Sequence, residues 1–199
     1  MATYASIKYD MDLSSSATGA GGMTLLSTQT ASDSATISFT SIDSTYDEYV
    51  FKFYDIHPAS ADGVLQFNGS DDTSSHSYDI TKTTTFFYAE HFENDSSAVI
   101  NYLAAYDLAQ STSFANITQG GINDNNDDCA AGTLQLFNPS STTFVKHFIS
   151  RTNHISSNPY TRDSFLGGYF NTTAAITAIQ FKIDNGNMGS GTIKMYGVS

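Results

Sequence analysis

Apolar residues in this chain recur at every second position in short runs, and a cluster of turn formers closes nearly every run. Residues 34–40 show the pattern: Ala35, Ile37 and Phe39 alternate with Thr36 and Ser38. Side chains of a β-strand point alternately to its two faces, so this spacing sets an apolar face toward a core and a polar face toward water. Residues 48–56 are aromatic or β-branched almost throughout. They read as a central strand, ended by His57-Pro58 because proline cannot donate to a ladder. Val64–Phe67 reads as a short strand closed by the turn formers Asn68-Gly69-Ser70-Asp71-Asp72. Residues 78–92 read as one long strand or a hairpin arm.

The second half repeats the rhythm. Strands are expected over 133–137, 143–150, 165–170, 179–183 and 191–198. The pair Gly167-Gly168 interrupts one of them and implies a bulge or a close approach. Polar loops are expected over 120–132 and through Asn158-Pro159. Only residues 98–109 carry helical spacing, at Val99, Tyr102, Leu103 and Tyr106. They read as a short helix, or as a strand followed by a loop. With about nine or ten strands and no long apolar helix to cover a sheet, the fold class is all-β. The architecture is an antiparallel β-sandwich with at most one short helix.

Two segments organise the chain. Residues 1–22 hold one short alternating stretch, Tyr4–Tyr9, and a run of small residues from Ser14 to Gly22. Such a run cannot bury enough apolar area to fold alone, so 1–22 reads as an arm or linker. Residues 23–199 read as a single sandwich domain, a length that all-β domains often reach undivided.

Charge restricts the partners. The chain carries 20 acidic and 8 basic residues, a formal charge of -12. Phosphate recognition needs an excess of Lys and Arg that this chain lacks, which argues against nucleic acid and against an anionic membrane. Met1-Ala2-Thr3-Tyr4 has neither a basic nor an apolar leader region, so no signal peptide is expected. Cys129 is the one cysteine, which excludes an intrachain disulfide.

Catalytic chemistry is not legible. Serines are abundant, but no Gly-x-Ser-x-Gly elbow presents one. The histidines, His57, His76, His91, His147 and His154, show no metal-ligand spacing. The run Asp124-Asn125-Asn126-Asp127-Asp128 offers oxygens for calcium. As an EF-hand loop it fails, because Cys129 stands where glycine is needed and Gln135 where glutamate is needed. The three glutamates, Glu48, Glu90 and Glu93, suggest no pairing for glycoside hydrolysis. No catalytic residue, metal or cofactor is therefore expected. Aromatics are the asset: 14 Phe, 12 Tyr and no Trp. Tyrosines in or near loops can anchor an interface or stack on a sugar, and absence of the larger indole weakens the sugar reading. The candidate surface contacts are Tyr46, Tyr78, Tyr106 and Tyr160, with Asp124 and Asp127 in the acidic loop.

Several blocks resemble a β-module in structural proteins of tailed bacteriophages, notably phages of marine bacteria and cyanobacteria. Thr45-Tyr46-Asp47-Glu48-Tyr49 leads to Ile56-His57-Pro58 and Leu65-Gln66-Phe67. Leu136–Ser141, Ile179–Lys182 and the closing Gly191–Gly197 are similar to later blocks of the same proteins. The resemblance spans about residues 24–198. It implies a non-enzymatic virion protein: a capsid decoration or cement protein, or a small tail or fibre subunit. It further implies a jelly-roll module, often a homotrimer, made in the host cytoplasm and carried in the virion beside other virion proteins. A host-surface glycan-binding module of a phage fibre is the second reading. An arm docked on a neighbouring subunit would suit the first.

Overall fold

A computed structural model describes residues 22–156 and 159–199. The expected arm, apart from Gly22, lies outside the described residues. Among the described residues there are twelve strands: β1 (Thr24–Ser34), β2 (Ile37–Phe39), β3 (Glu48–Pro58), β4 (Leu65–Ser70), β5 (Lys82–Phe92), β6 (Ala98–Tyr102), β7 (Ala115–Asn116), β8 (Ala130–Phe137), β9 (Lys146–Ile155), β10 (Tyr160–Phe170), β11 (Ala178–Ile183) and β12 (Met188–Val198). They form an eight-stranded sheet, β1-β12-β3-β8-β9-β10-β5-β6, and a four-stranded sheet, β2-β11-β4-β7. Every pairing is antiparallel, and the two sheets pack as a sandwich. A jelly roll distributes eight strands over two sheets. The eight-against-four division here does not confirm the expected jelly-roll order.

The alternation seen in the sequence builds the core. Even-numbered residues of β9 and β10 face inward, and Phe148, Leu166 and Phe170 are buried. Phe51 and Phe53 come from β3, Phe67 from β4 and Phe181 from β11. Phe181 sits at the centre, edge-on to Phe51 at 5.3 Å and Phe53 at 5.2 Å between ring centroids. Such T-shaped contacts set the positive ring edge against a neighbour's negative face.

Several sequence expectations change: the strand expected over 34–40 shrinks to Ile37–Phe39, the one over 143–150 runs instead from Lys146 to Ile155, and the one over 165–170 begins already at Tyr160. Residues 98–109 form a strand, then a single 3-10 turn at Ala104–Tyr106, which is the alternative to the helix. Asn68-Gly69-Ser70 continue β4 instead of turning. Buried Asn68 donates its amide to the Tyr78 and Thr112 carbonyls, and a Cβ on Gly69 would lie 2.9 Å from the Phe170 ring. Residues 130–132 belong to β8, because Ala130 is buried opposite His154. Gly167-Gly168 makes no bulge: β10 keeps an unbroken register with both neighbours. Gly168 marks a close approach, since an added Cβ would lie 2.5 Å from the Thr83 carbonyl oxygen. A bulge lies elsewhere, where β3 slips between Phe53 and Ile56 beside Asp55, in the left-handed region at φ 52°.

Two lysines are buried at one end of the large sheet. Lys82 and Lys146 flank Phe170 in register. The Lys82 ammonium donates to the Ile80 and Ser113 carbonyls, and burial pushes its pKa down to about 7. Lys146 donates to the Thr172 carbonyl, and burial lowers it as well. Each spans from a strand to an adjoining loop and so ties that loop to the sheet.

Candidate functional site

The sequence-named residues do not converge. Tyr46 and Asp127 line separate depressions, while Tyr78 lies against the His76 ring with centroids 6.2 Å apart. Asp124 is exposed in the loop. Tyr106 packs on Phe86 and accepts a hydrogen bond from the Gly120 amide, so it holds a loop in place. Tyr160 is only 7 % exposed and belongs to an interior network, contrary to its expected place at the surface.

That network centres on Arg162, which β10 points inward. Its guanidinium pairs with Glu90 at 2.5 and 3.0 Å and donates to the Gln119 carbonyl and the Tyr160 hydroxyl. It also lies over the Tyr160 and Tyr88 rings. Opposite it in register, on β9, sits His154. Neither His154 nitrogen has a hydrogen-bond partner of ordinary geometry among the described residues. Burial, then the Arg162 charge, lowers its pKa to about 4, against a small opposing pull from the Gln119 backbone. The imidazole is therefore neutral at pH 7. These groups are closed in by the core, and their arrangement serves the fold.

Two of the open depressions among the described residues are lined largely by polar side chains. The larger, about 470 Å³, lies between β1 and the β2–β3 segment. Ser27, Gln29, Ser38, Thr40, Ser41 and Thr45 supply polar groups, over a floor that includes Phe39 and Met195. The Tyr49 hydroxyl donates to the Asp43 carboxylate at 2.8 Å, and the Thr45 amide donates to the same carboxylate. The Thr45 amide holds the Asp43 carboxyl below its ordinary range, and burial pushes the Tyr49 phenol up to about 12. Tyr46 is edge-on to Tyr49 and seated on Gly197, where a Cβ would lie 2.4 Å from the ring. Among the described residues no Lys or Arg lines this cleft, so it suits a neutral, hydroxyl-rich molecule better than an anion. The second depression, about 410 Å³, is lined by Asp55, His57, Asn126, Asp127, Asp128 and Cys129. His57 is tied at 2.7 Å to the Asp128 carbonyl, and no group among the described residues has the placement to hold a metal ion.

Tyr54, Phe87, Ile100, Tyr102 and Ile149, all exposed, lie on the outer face of the large sheet. In one cross-strand row, Arg151 of β9 faces Phe165 of β10, Phe165 faces Phe87 of β5, and Phe87 faces Tyr102 of β6. The Phe87 and Phe165 rings stack 4.7 Å apart, nearly parallel. Arg151 lies over Phe165 and is fixed by a forked ion pair to Asp163. Adjacent rows add Ile149, 53 % exposed, and Ile100, 81 % exposed. At the other end of this face, lysines cover the aromatics: Lys194 lies over Tyr54 and Lys52 over Tyr196. One half of the face is thus screened by charge; in the half built from β5, β6, β9 and β10, Arg151 covers Phe165, while Phe87, Ile100, Tyr102 and Ile149 stay exposed among the described residues.

The sequence reading missed this row, although it held one signal. Phe86 and Phe87 are adjacent, so a strand through them must turn one ring away from the core. Comparison with known proteins finds no matching family model, no matching curated protein and no matching solved structure.

Proposed function

We propose that this chain is a non-enzymatic structural subunit of a tailed-phage particle, a decoration or cement protein of the capsid or a small subunit of the tail or fibre. It acts through contacts with copies of itself and with other virion proteins, and it reaches the virion from the host cytoplasm. The sequence resemblance supplies the viral part of this reading. The observation that carries the rest is the bare aromatic half of the outer sheet face. Contiguous exposed apolar surface marks protein contact, and stacked Phe and fixed Arg are typical anchors of such contacts. The named tyrosines, by contrast, do not gather in one concavity as a sugar site would require.

Mass spectrometry of purified particles tests the proposal. The chain is expected there at a fixed, multi-copy stoichiometry, and its absence from particles would overturn the reading. The Asp43–Tyr46 cleft favours a second reading, recognition of a neutral host glycan. Calorimetric titration with neutral oligosaccharides would support it if heat appears and is lost in Tyr46→Ala. Silence across neutral oligosaccharides would dismiss it.

A further inference from the structure

Among the described residues, strand β6 is an edge without protection. Natural sheets blunt their edges with charge, proline, bulges or very short strands, because a free edge pairs with whatever strand it meets. The other edges here follow that rule. β1 is polar along most of its length, slips register between Leu25 and Ser27, and places Asp33 at φ 50°. β2 and β7, the edges of the small sheet, hold three and two residues. β6 reads Ala98-Val99-Ile100-Asn101-Tyr102, with no charge, proline or glycine, and all five residues are exposed.

Its hydrogen-bonding pattern is fixed by its neighbour. The Phe92 amide donates to the Ser97 carbonyl and the Leu103 amide to the Phe86 carbonyl, each at 3.0 Å. In an antiparallel ladder hydrogen-bonded pairs alternate with non-bonded ones, so Val99 and Asn101 also bond inward to β5. Ala98, Ile100 and Tyr102 therefore turn their N–H and C=O groups to the free edge. The same three side chains lie on the bare outer face, in the rows of His91, Ala89 and Phe87.

We infer that this edge pairs with β6 of a second copy of the chain, antiparallel and two-fold about Ile100. One register joins every free group: Ile100 opposite Ile100, and Ala98 opposite Tyr102 in both directions. It makes six backbone hydrogen bonds and sets a small side chain against a large one on each side of the axis. Tyr102 is held for this role, because its hydroxyl donates to the Asp107 carboxylate. A contact in which the same patch meets itself closes after two copies. The eight-stranded sheets become one sheet of about sixteen strands, and the two bare face halves become one continuous surface. The inference rests on the self-association in the proposed function and names its surface. A trimer of the kind the resemblance implies would need a further, head-to-tail contact elsewhere.

Sedimentation of the 199-residue chain tests this, comparing wild type, Ile100→Lys and Ile149→Lys. Both positions are exposed, so neither change should disturb folding, and circular dichroism checks that. The wild type and Ile149→Lys are expected as dimers and Ile100→Lys as a monomer. In a Cys129→Ser background, Ile100→Cys is expected to form a disulfide-linked dimer on mild oxidation, since paired residues across such a ladder lie about 5.5 Å apart. A monomeric wild type, a dimer that survives Ile100→Lys, or a trimer with no cross-link at position 100 would each overturn the pairing. If the wild type is monomeric yet present in particles, only the pairing fails. If it dimerises through β6 and is absent from particles, only the virion reading fails.

Discussion

At the residue scale, the interior polar network sets how the chain responds to acid. His154 is buried and neutral, with its pKa lowered from 6.5 to about 4. Between those values the unfolded chain binds a proton that the folded chain refuses, so stability is present above about pH 6.5 and is lost as pH falls toward 4. The difference corresponds to about 3 kcal/mol. Urea midpoints measured from pH 7 to pH 4 should show a drop in this window, smaller in His154→Leu; an equal drop in both would refute the assignment. Arg162 is the opposite case, a buried cation that needs its partner. Arg162→Met leaves the Glu90 carboxylate without its counter-charge and should cost about 3–5 kcal/mol, measured by the same unfolding method. At this scale the sequence reading was weakest. Tyr160 stands beside Asn158-Pro159 and looked like a loop residue, yet β10 begins on it and its ring packs in the Arg162 network. No local signal distinguishes a tyrosine that caps a buried guanidinium from one that meets solvent.

At the scale of elements, the strands with one apolar face were legible, and those without one were not. β11 and β12 follow from alternation, because one face of each packs on the core, and β3 from its nearly unbroken run of aromatic and β-branched residues. β1 is exposed on both faces for most of its length, so no period marks it; backbone pairing to β12 alone makes it a strand. β6 imitates a helix because Val99, Tyr102, Leu103 and Tyr106 fall at helical spacing, but they divide between a strand and a single turn. The end of β4 was hidden by composition, since Asn68 and Gly69 form turns unless tertiary contacts bury them. The glycine pair in β10 allows a direct check. Gly168→Ala drives a methyl group into the Thr83 carbonyl and the Phe148 ring and should cost about 1–3 kcal/mol. Gly167 has open space where a Cβ would stand, so Gly167→Thr should be neutral or stabilise by up to about 1 kcal/mol, as a β-branched residue suits a strand. Chemical denaturation separates the two, and equal losses would mean the register of β10 is misplaced.

At the scale of the whole molecule, the charge of -12 and the bare aromatic surface act together. Net charge of one sign keeps copies apart in solution, while the uncharged β6 edge and the Phe87–Phe165 row give them one region where approach is not opposed by charge. Raising salt screens the repulsion and leaves apolar contact intact, so self-association should strengthen with ionic strength. Light scattering across a salt series checks this, and weakening by salt would point to ion pairs as the driving contact. The central claim is that the outer face of the large sheet is where this protein meets its neighbours. An image of the assembled particle at side-chain resolution measures that directly. The account predicts that Phe87, Tyr102, Ile149 and Phe165 are covered by another protein chain; finding that face open to solvent, with contacts confined to the cleft or the small sheet, would contradict it.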